Sequence, residues 1–329
     1  VGPDGFTRFF AFCASHEDKP MSTLPKTEPL PRQRFVQCAN PTGLHRMAYT
    51  EWGDPANPRV LVCVHGLTRS GRDFDRVAAA LCDVYRVVCP DVVGRGLSDW
   101  LRDPSRYVVP QYVADMVTLI ARLDVETVDW FGTSMGGLIG MTLAGLPGAP
   151  VGKLLVNDVG PHIEPAAIDR MRQYVGKPAS FASLQAGIEH AAALAPGFGP
   201  LTADEWREIN TPLLREREDG TWGFRYDPAI AVPFAAPGAA AAPATTPDAG
   251  AAAEQLLWHL FASIPGPVLV VRGAQSDLLS AETLARMRQT GRAVSSVEID
   301  GVGHAPAFLD AAQIGIARRF FVGDDASAS

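Results

Sequence analysis

The sequence predicts an α/β fold: a mostly parallel central sheet flanked by helices, with a helical insertion late in the chain. Three observations carry this. Short continuous apolar runs alternate with helix-like segments through short connections, as expected when a parallel sheet is covered on both faces. The run Phe131-Gly132-Thr133-Ser134-Met135-Gly136-Gly137 puts a G-x-S-x-G pattern at a strand-to-helix junction. And the polar residues fit for chemistry fall just past the carboxyl ends of predicted strands, where sites lie in such sheets.

Residues 34–40 and 44–52 read as two strands joined at Pro41-Thr42-Gly43, a hairpin signal. Buried strands follow at 59–64, 85–89, 127–131 and 153–157, with helices at about 73–82, 111–123 and 138–146. The alternation stops at 161–253. Helical pieces are expected there at 165–175 and 180–195, then an aromatic stretch, then an Ala/Pro-rich run over 228–253 that reads as irregular. The segment is expected to form a helical cap over the carboxyl edge of the sheet, the alternative being a separate second domain. The rhythm returns with a helix at 254–264, a strand at 267–272, a helix at 280–289, a strand at 294–299 and a last helix within 306–321. The expected organisation is therefore a flexible lead-in over 1–30, core from 31–160, cap from 161–253, core again from 254–323 and a tail at 324–329. Residues 1–30 lack the features of a secretory signal, and Met21 is a plausible start.

Composition excludes several classes. Apolar residues make up 47% and charged residues 20% of the 329, ordinary for a soluble globular chain. The net charge of −7 argues against nucleic acid as partner, and no apolar run approaches the ~18 residues of a membrane span. The expected partner is a small molecule, and the expected state a monomer or homodimer. The five cysteines (Cys13, Cys38, Cys63, Cys82 and Cys89) have no metal-ligand spacing. Buried thiols are expected, which favours a reducing, cytoplasmic compartment. Neither a dinucleotide G-x-G-x-x-G nor a phosphate-binding G-x-x-x-x-G-K-[ST] opens an α/β unit, so no cofactor and no metal are expected.

The G-x-S-x-G pattern has a steric reason. A serine at the tip of a very tight turn adopts strained φ/ψ, and side chains two residues to either side would collide. Glycines at 132 and 136 remove them and leave the Ser134 hydroxyl clear of the sheet. A serine hydroxyl is a poor nucleophile at neutral pH. It needs a base within hydrogen-bond reach, and the base needs an orienting carboxylate. Asp277 and His304 each follow a late strand, and the order Ser134, Asp277, His304 is one in which such a triad occurs. Asp158, which also follows a strand, is the competing acid.

These runs identify a resemblance to the α/β-hydrolase fold over about residues 34–322. It rests on His65-Gly66, the loop Asp91-x-x-Gly94-x-Gly96-x-Ser98, GTSMGG at 132–137, Asp277 and Gly303-His304. The core resembles small bacterial serine esterases, enol-lactonases and carbon–carbon bond hydrolases. The resemblance implies a carboxylic ester hydrolase with Ser134 as nucleophile, His304 as base and Asp277 as acid. It also implies an oxyanion hole from the backbone N–H groups of Leu67 and Met135. His65 is then expected to hold the oxyanion loop, and Asp91 its own glycine loop. Hydroxyalkanoate oligomers, lactones or carbon–carbon bonds are alternative targets of the same three residues, and a ligand-sensing protein on this fold is the alternative of another class. His16, His45, His190 and His259 have no matching context. For the substrate pocket, Arg95 is expected either to meet an anionic group or to be solvated, and His162 is a candidate lining residue. Trp206, Trp222, Phe224 and Tyr226 are expected either to line the pocket or to pack within the cap, the more common use of such aromatics.

Overall fold

The computed structural model describes residues 30–235 and 247–323. The expected flexible ends and the middle of the Ala/Pro-rich run lie outside the described residues.

All eight predicted core strands form, in one sheet. They are β1 (Arg32–Asn40), β2 (Gly43–Trp52), β3 (Val60–Val64), β4 (Arg86–Pro90), β5 (Val128–Thr133), β6 (Val151–Asn157) and, after the insertion, β9 (Val268–Gly273) and β10 (Val294–Ile299). Their spatial order is β1-β2-β4-β3-β5-β6-β9-β10. The β1–β2 hairpin and the β2–β4 pair are antiparallel, and the remaining pairs are parallel. The central strands read as unbroken apolar runs because both their faces are covered: every residue of β3 is buried. The edge strands β1 and β10 alternate between exposed and less exposed positions.

Two apolar layers flank the sheet. One holds α2 (Val109–Leu123), α3 (Met135–Ala144) and α8 (Pro247–Ser263). The other holds α1 (Asp75–Leu81) and α10 (Ala311–Val322). Phe131, fully buried on β5, packs edge-on against Phe74 and Phe308 at ring-centroid distances of 5.1 and 4.8 Å. Truncating a core phenylalanine of this kind costs about 3–5 kcal/mol, so the strand that presents the serine turn is firmly seated. α9 (Ala281–Thr290) begins at the Ser280 cap, whose hydroxyl accepts from the Thr283 N–H.

Between β6 and β9 lie α4 (Pro165–Arg172), α5 (Leu184–Ala193), α6 (Ala203–Asn210), a hairpin of β7 (Leu214–Glu216) and β8 (Trp222–Phe224), and α7 (Val232–Ala235). The insertion is thus not wholly helical. Asp219 and Gly220 turn the chain, the Asp219 carboxylate accepts from the Thr221 N–H, and Gly220 sits at φ 77°. α8 also begins at Pro247, ahead of the expected Glu254, and belongs with the core: its Leu260 carbonyl lies where a Cβ on Gly145 of the α3 end would fall, 2.3 Å away. Among the described residues no helix is long and apolar enough to cross a membrane.

Candidate active site

Ser134 connects β5 to α3 at φ 52° and ψ −116°, a conformation L-residues rarely adopt. The flanking glycines are obligatory for a spatial reason. A Cβ on Gly136 would lie 1.9 Å from the Val64 carbonyl oxygen, and one on Gly132 2.2 Å from the Gly136 carbonyl oxygen. The turn is tied down by the Ser134 N–H donating to the Asn157 carbonyl at 2.9 Å and the Trp130 indole donating to the Gly136 carbonyl at 3.1 Å.

His304, on the loop after β10, places Nε2 3.0 Å from Ser134 Oγ. Its Nδ1 lies 2.8 Å from Oδ2 of Asp158, not of Asp277. Asp158 follows β6 directly, is fully buried, and sits at φ 57°. Its Oδ1 accepts from the Gly273 N–H at 2.9 Å and its Oδ2 from the Ser276 hydroxyl at 2.6 Å. A carboxylate can only accept from Nδ1, so that nitrogen carries the proton and Nε2 is free to accept from Ser134.

The expected acid, Asp277, is displaced for a local reason. Ser276 turns inward to Asp158 while its oxygen accepts from the N–H groups of Leu278 and Leu279 at 3.2 and 3.1 Å. The next residue then faces outward, and the half-exposed Asp277 makes a bidentate pair with Arg170 at 2.7 and 2.9 Å. Ser276 is a site residue that sequence reasoning passed over. It lies in the right loop, one position from the residue chosen.

The Leu67 and Met135 amides are the candidate oxyanion pair, and each is free of a backbone partner among the described residues for a local reason. Met135 opens α3, so its N–H has no acceptor within its own helix. The Leu67 N–H belongs to the same peptide as the Gly66 carbonyl, which is held by His65 Nδ1 at 2.7 Å and the Arg69 N–H at 3.2 Å. Because that peptide is trans, fixing the carbonyl aims the N–H the opposite way. His65 is wholly buried, and its Nε2 accepts from the Val92 N–H at 2.9 Å, so Nδ1 is the protonated nitrogen. Burial pushes its pKa down to about 3, with the Arg95 and Arg69 charges adding to the effect. Its neutral form is therefore fixed. Asp91 holds its glycine loop, as expected, by accepting from the Gly71 and Leu97 N–H groups at 2.8 Å each.

A cavity opens over Ser134 and His304. Leu67, Phe224 and Tyr226 line it, together with Met171, Phe198 and Leu213. The other expected pocket residues do not. Trp206 stacks on Phe198, Trp222 lies on β8 paired with Phe181, and His162 contacts Glu254 at 3.0 Å. Arg95 neither meets the cavity nor the solvent: it is fully buried. Two other arginines do line the cavity, each matched by an acid. Arg69 pairs with Asp73 at 2.7 Å and Arg170 with Asp277. Arg69 also grips the insertion, donating to Asn210 Oδ1 at 2.8 Å and to the Ile209 carbonyl at 3.0 Å. A second tie runs from the Gly303 N–H to the Gly197 carbonyl at 2.8 Å, so the insertion is bonded to the loop bearing His304.

Away from the site, Cys38, His45 and Asp115 form a buried cluster with the spacing of metal ligands. Its wiring argues for a satisfied core network. Asn40 Oδ1 accepts from the Thr42 N–H and hydroxyl, so its amide nitrogen donates to His45 Nδ1 at 3.2 Å. His45 Nε2 then carries the proton and donates to Asp115 at 3.0 Å, leaving no imidazole lone pair toward the cluster. Burial pushes the Cys38 thiol up to about 12, which further disfavours a thiolate ligand.

Residues 61–316 match the model of the alpha/beta hydrolase family. The chain belongs to that family. Within it, the chain is 61% identical over 296 residues to a 3-hydroxybutyrate-oligomer hydrolase of Cupriavidus necator, covering 89% of this chain and 98% of that protein. It is 26% identical over 245 residues to the 2-(acetamidomethylene)succinate hydrolase of Mesorhizobium japonicum, covering 74% and 81% of the two chains. The crystal structure of an alpha/beta hydrolase from Novosphingobium aromaticivorans superposes with a TM-score of 0.76 at 32% identity, over 89% of this chain and 98% of that one. The family match and the 61% identical hydrolase together support an enzyme that hydrolyses esters.

Proposed function

We propose that the protein is a serine hydrolase of short linear hydroxyalkanoate oligoesters, with Ser134, His304 and Asp158 as its triad. The observation that carries this is the unbroken chain Ser134 Oγ–His304–Asp158, with spacings of 3.0 and 2.8 Å, beside the Leu67 and Met135 amides. Ser134 Oγ attacks the ester carbonyl carbon as its proton passes to His304 Nε2. The carbonyl oxygen gains negative charge facing the two amides, each worth about 3 kcal/mol in such a role. Collapse breaks the ester C–O bond, and His304 returns the proton to the departing hydroxyl. A water molecule, deprotonated by the same nitrogen, then attacks the acyl-enzyme and frees the acid. Asp158 holds the imidazole and steadies its transient positive charge.

The oligoester reading draws its support from the 61% identical relative and from the cavity wall. That wall is largely apolar, and its two arginines are each paired with an aspartate. The methyl-branched ester units of such an oligomer suit that wall. The buried thiols Cys38, Cys63 and Cys89 support a reducing compartment. Chromatography after incubation with 3-hydroxybutyrate dimer and trimer tests the substrate, with p-nitrophenyl butyrate, an enol-lactone and a dienone acid alongside. Release of the monomeric acid at a kcat/KM well above that for the lactone and dienone acid is expected. Turnover of either of those with inert oligomers would overturn the substrate. Tight binding with no turnover at all would point to a sensing protein.

A further inference from the structure

Arg95 sits between the glycines of the Asp91–Ser98 loop. Its side chain is fully buried, and among the described residues it has no ion pair with a carboxylate. Nε donates to the Leu67 carbonyl at 2.8 Å. Nη1 donates to the Val93 carbonyl at 2.8 Å and the Tyr112 hydroxyl at 3.0 Å, and Nη2 lies 3.6 Å from Met135 Sδ. The faces of Tyr107 and Tyr112 flank the guanidinium at 5.6 and 5.1 Å from their centroids. Burying a cation without an anion is costly. Carbonyl dipoles and aromatic faces offset that cost without cancelling the charge. One guanidinium therefore touches both residues of the candidate oxyanion pair, the Leu67 carbonyl and the Met135 sulfur, and does not itself line the cavity.

We propose that Arg95 is a positioning residue for the oxyanion hole, clamping Leu67 to Met135 and placing an unneutralised positive charge behind their amides. His65 fixes the peptide that carries the Leu67 N–H, and Arg95 fixes the next peptide through the Leu67 carbonyl. Rotation of that short loop is thus blocked at two successive peptides. The charge favours an alkoxide over a neutral carbonyl in the same place, so its effect belongs to the transition state more than to the bound ester. This rests on the ester-hydrolase reading above, but not on the identity of the natural oligomer.

The test uses the full chain with p-nitrophenyl butyrate, butylboronic acid as a mimic of the tetrahedral anion, and 1-butanol as a neutral ligand of the same cavity. Arg95→Met is expected to lower kcat about a hundredfold with KM within about threefold. Boronate affinity should fall in parallel while butanol affinity holds. Arg95→Lys, which keeps the charge but cannot make all the bonds, should recover roughly a tenth to a third of the wild-type rate. A folded Arg95→Met with kcat within twofold of wild type would overturn the inference. So would a uniform loss of rate, boronate and butanol affinity, which a purely structural brace would give. If Arg95→Met does not fold, Arg95→Lys decides alone: unchanged kcat and boronate affinity would overturn the clamp. Absence of ester turnover in the unmodified protein would sink the hydrolase reading first, before any Arg95 variant is compared.

Discussion

His304 Nδ1 lies 2.8 Å from Asp158 Oδ2 across 146 positions of sequence, and the acid stands at the end of β6 rather than in the loop after β9. Four strand ends meet there. β5 supplies the serine, β6 the carboxylate and the β10 loop the imidazole, while β9 contributes two donors, the Gly273 N–H and the Ser276 hydroxyl, that hold the carboxylate in place.

The two aspartates are expected to separate cleanly under substitution. Asp158→Asn should lower kcat about 10³–10⁴-fold, because an amide facing Nδ1 favours the wrong tautomer. Asp277→Asn should change kcat only a few-fold, since it breaks a half-exposed pair with Arg170 whose worth is about 1 kcal/mol or less. Steady-state rates on p-nitrophenyl butyrate decide. A larger loss in the Asp277 variant would return the acid to the loop after β9.

Ser134→Ala should lose turnover by several orders of magnitude and lose the mass increment that a fluorophosphonate adds to the wild type. Digestion and mass spectrometry should place that increment on the peptide containing Ser134. An adduct on another serine, or an unlabelled wild type with full activity, would refute the nucleophile.

Gly197→Ala tests the seating of the insertion. A Cβ there would lie 2.7 Å from the His304 N and 2.9 Å from its carbonyl oxygen, so the turn at Pro196–Phe198 must lift or the histidine loop must move. The expected outcome is a kcat at least tenfold lower with a thermal midpoint close to wild type, because the contact lies outside both apolar layers. Unchanged kinetics would show that the tie between Gly197 and Gly303 is incidental.

His65 gives a pH-dependent signature. Its folded pKa of about 3 lies below the unfolded value of about 6.5. The unfolded chain therefore binds the extra proton as pH falls from about 6.5 toward 3. The stability held above that window is lost across it at up to about 1.4 kcal/mol per pH unit. Urea unfolding at several pH values should show a shallower decline in His65→Asn than in wild type, by about one proton. Parallel declines would contradict the buried neutral imidazole.

Much of this was legible beforehand. The eight core strands, the serine turn and the histidine after the last strand follow from local signals: apolar runs, a glycine pair with a steric reason, and position at a strand end. The acid was not. Asp158 and Asp277 both follow parallel strands, and the choice turns on a one-residue phase in the loop after β9. Ser276 faces inward and Asp277 outward, a matter of loop packing that composition and periodicity do not encode. The pocket was half legible. Phe224 and Tyr226 line the cavity, but Trp206 stacks on Phe198 and Trp222 lies on β8 outside the lining, since an aromatic side chain satisfies either demand equally well.

By itself the amino-acid sequence determined the alternation of strands and helices, the strained turn at Ser134 and the rank of His304 in the chain. These depend on neighbours a few residues apart. The tertiary structure alone decided that Asp158 partners His304, that Arg95 lies buried against Leu67 and Met135, and that Gly197 braces the histidine loop. Each of those depends on which surfaces meet across more than twenty residues of chain, and short-range patterning carries no record of such meetings.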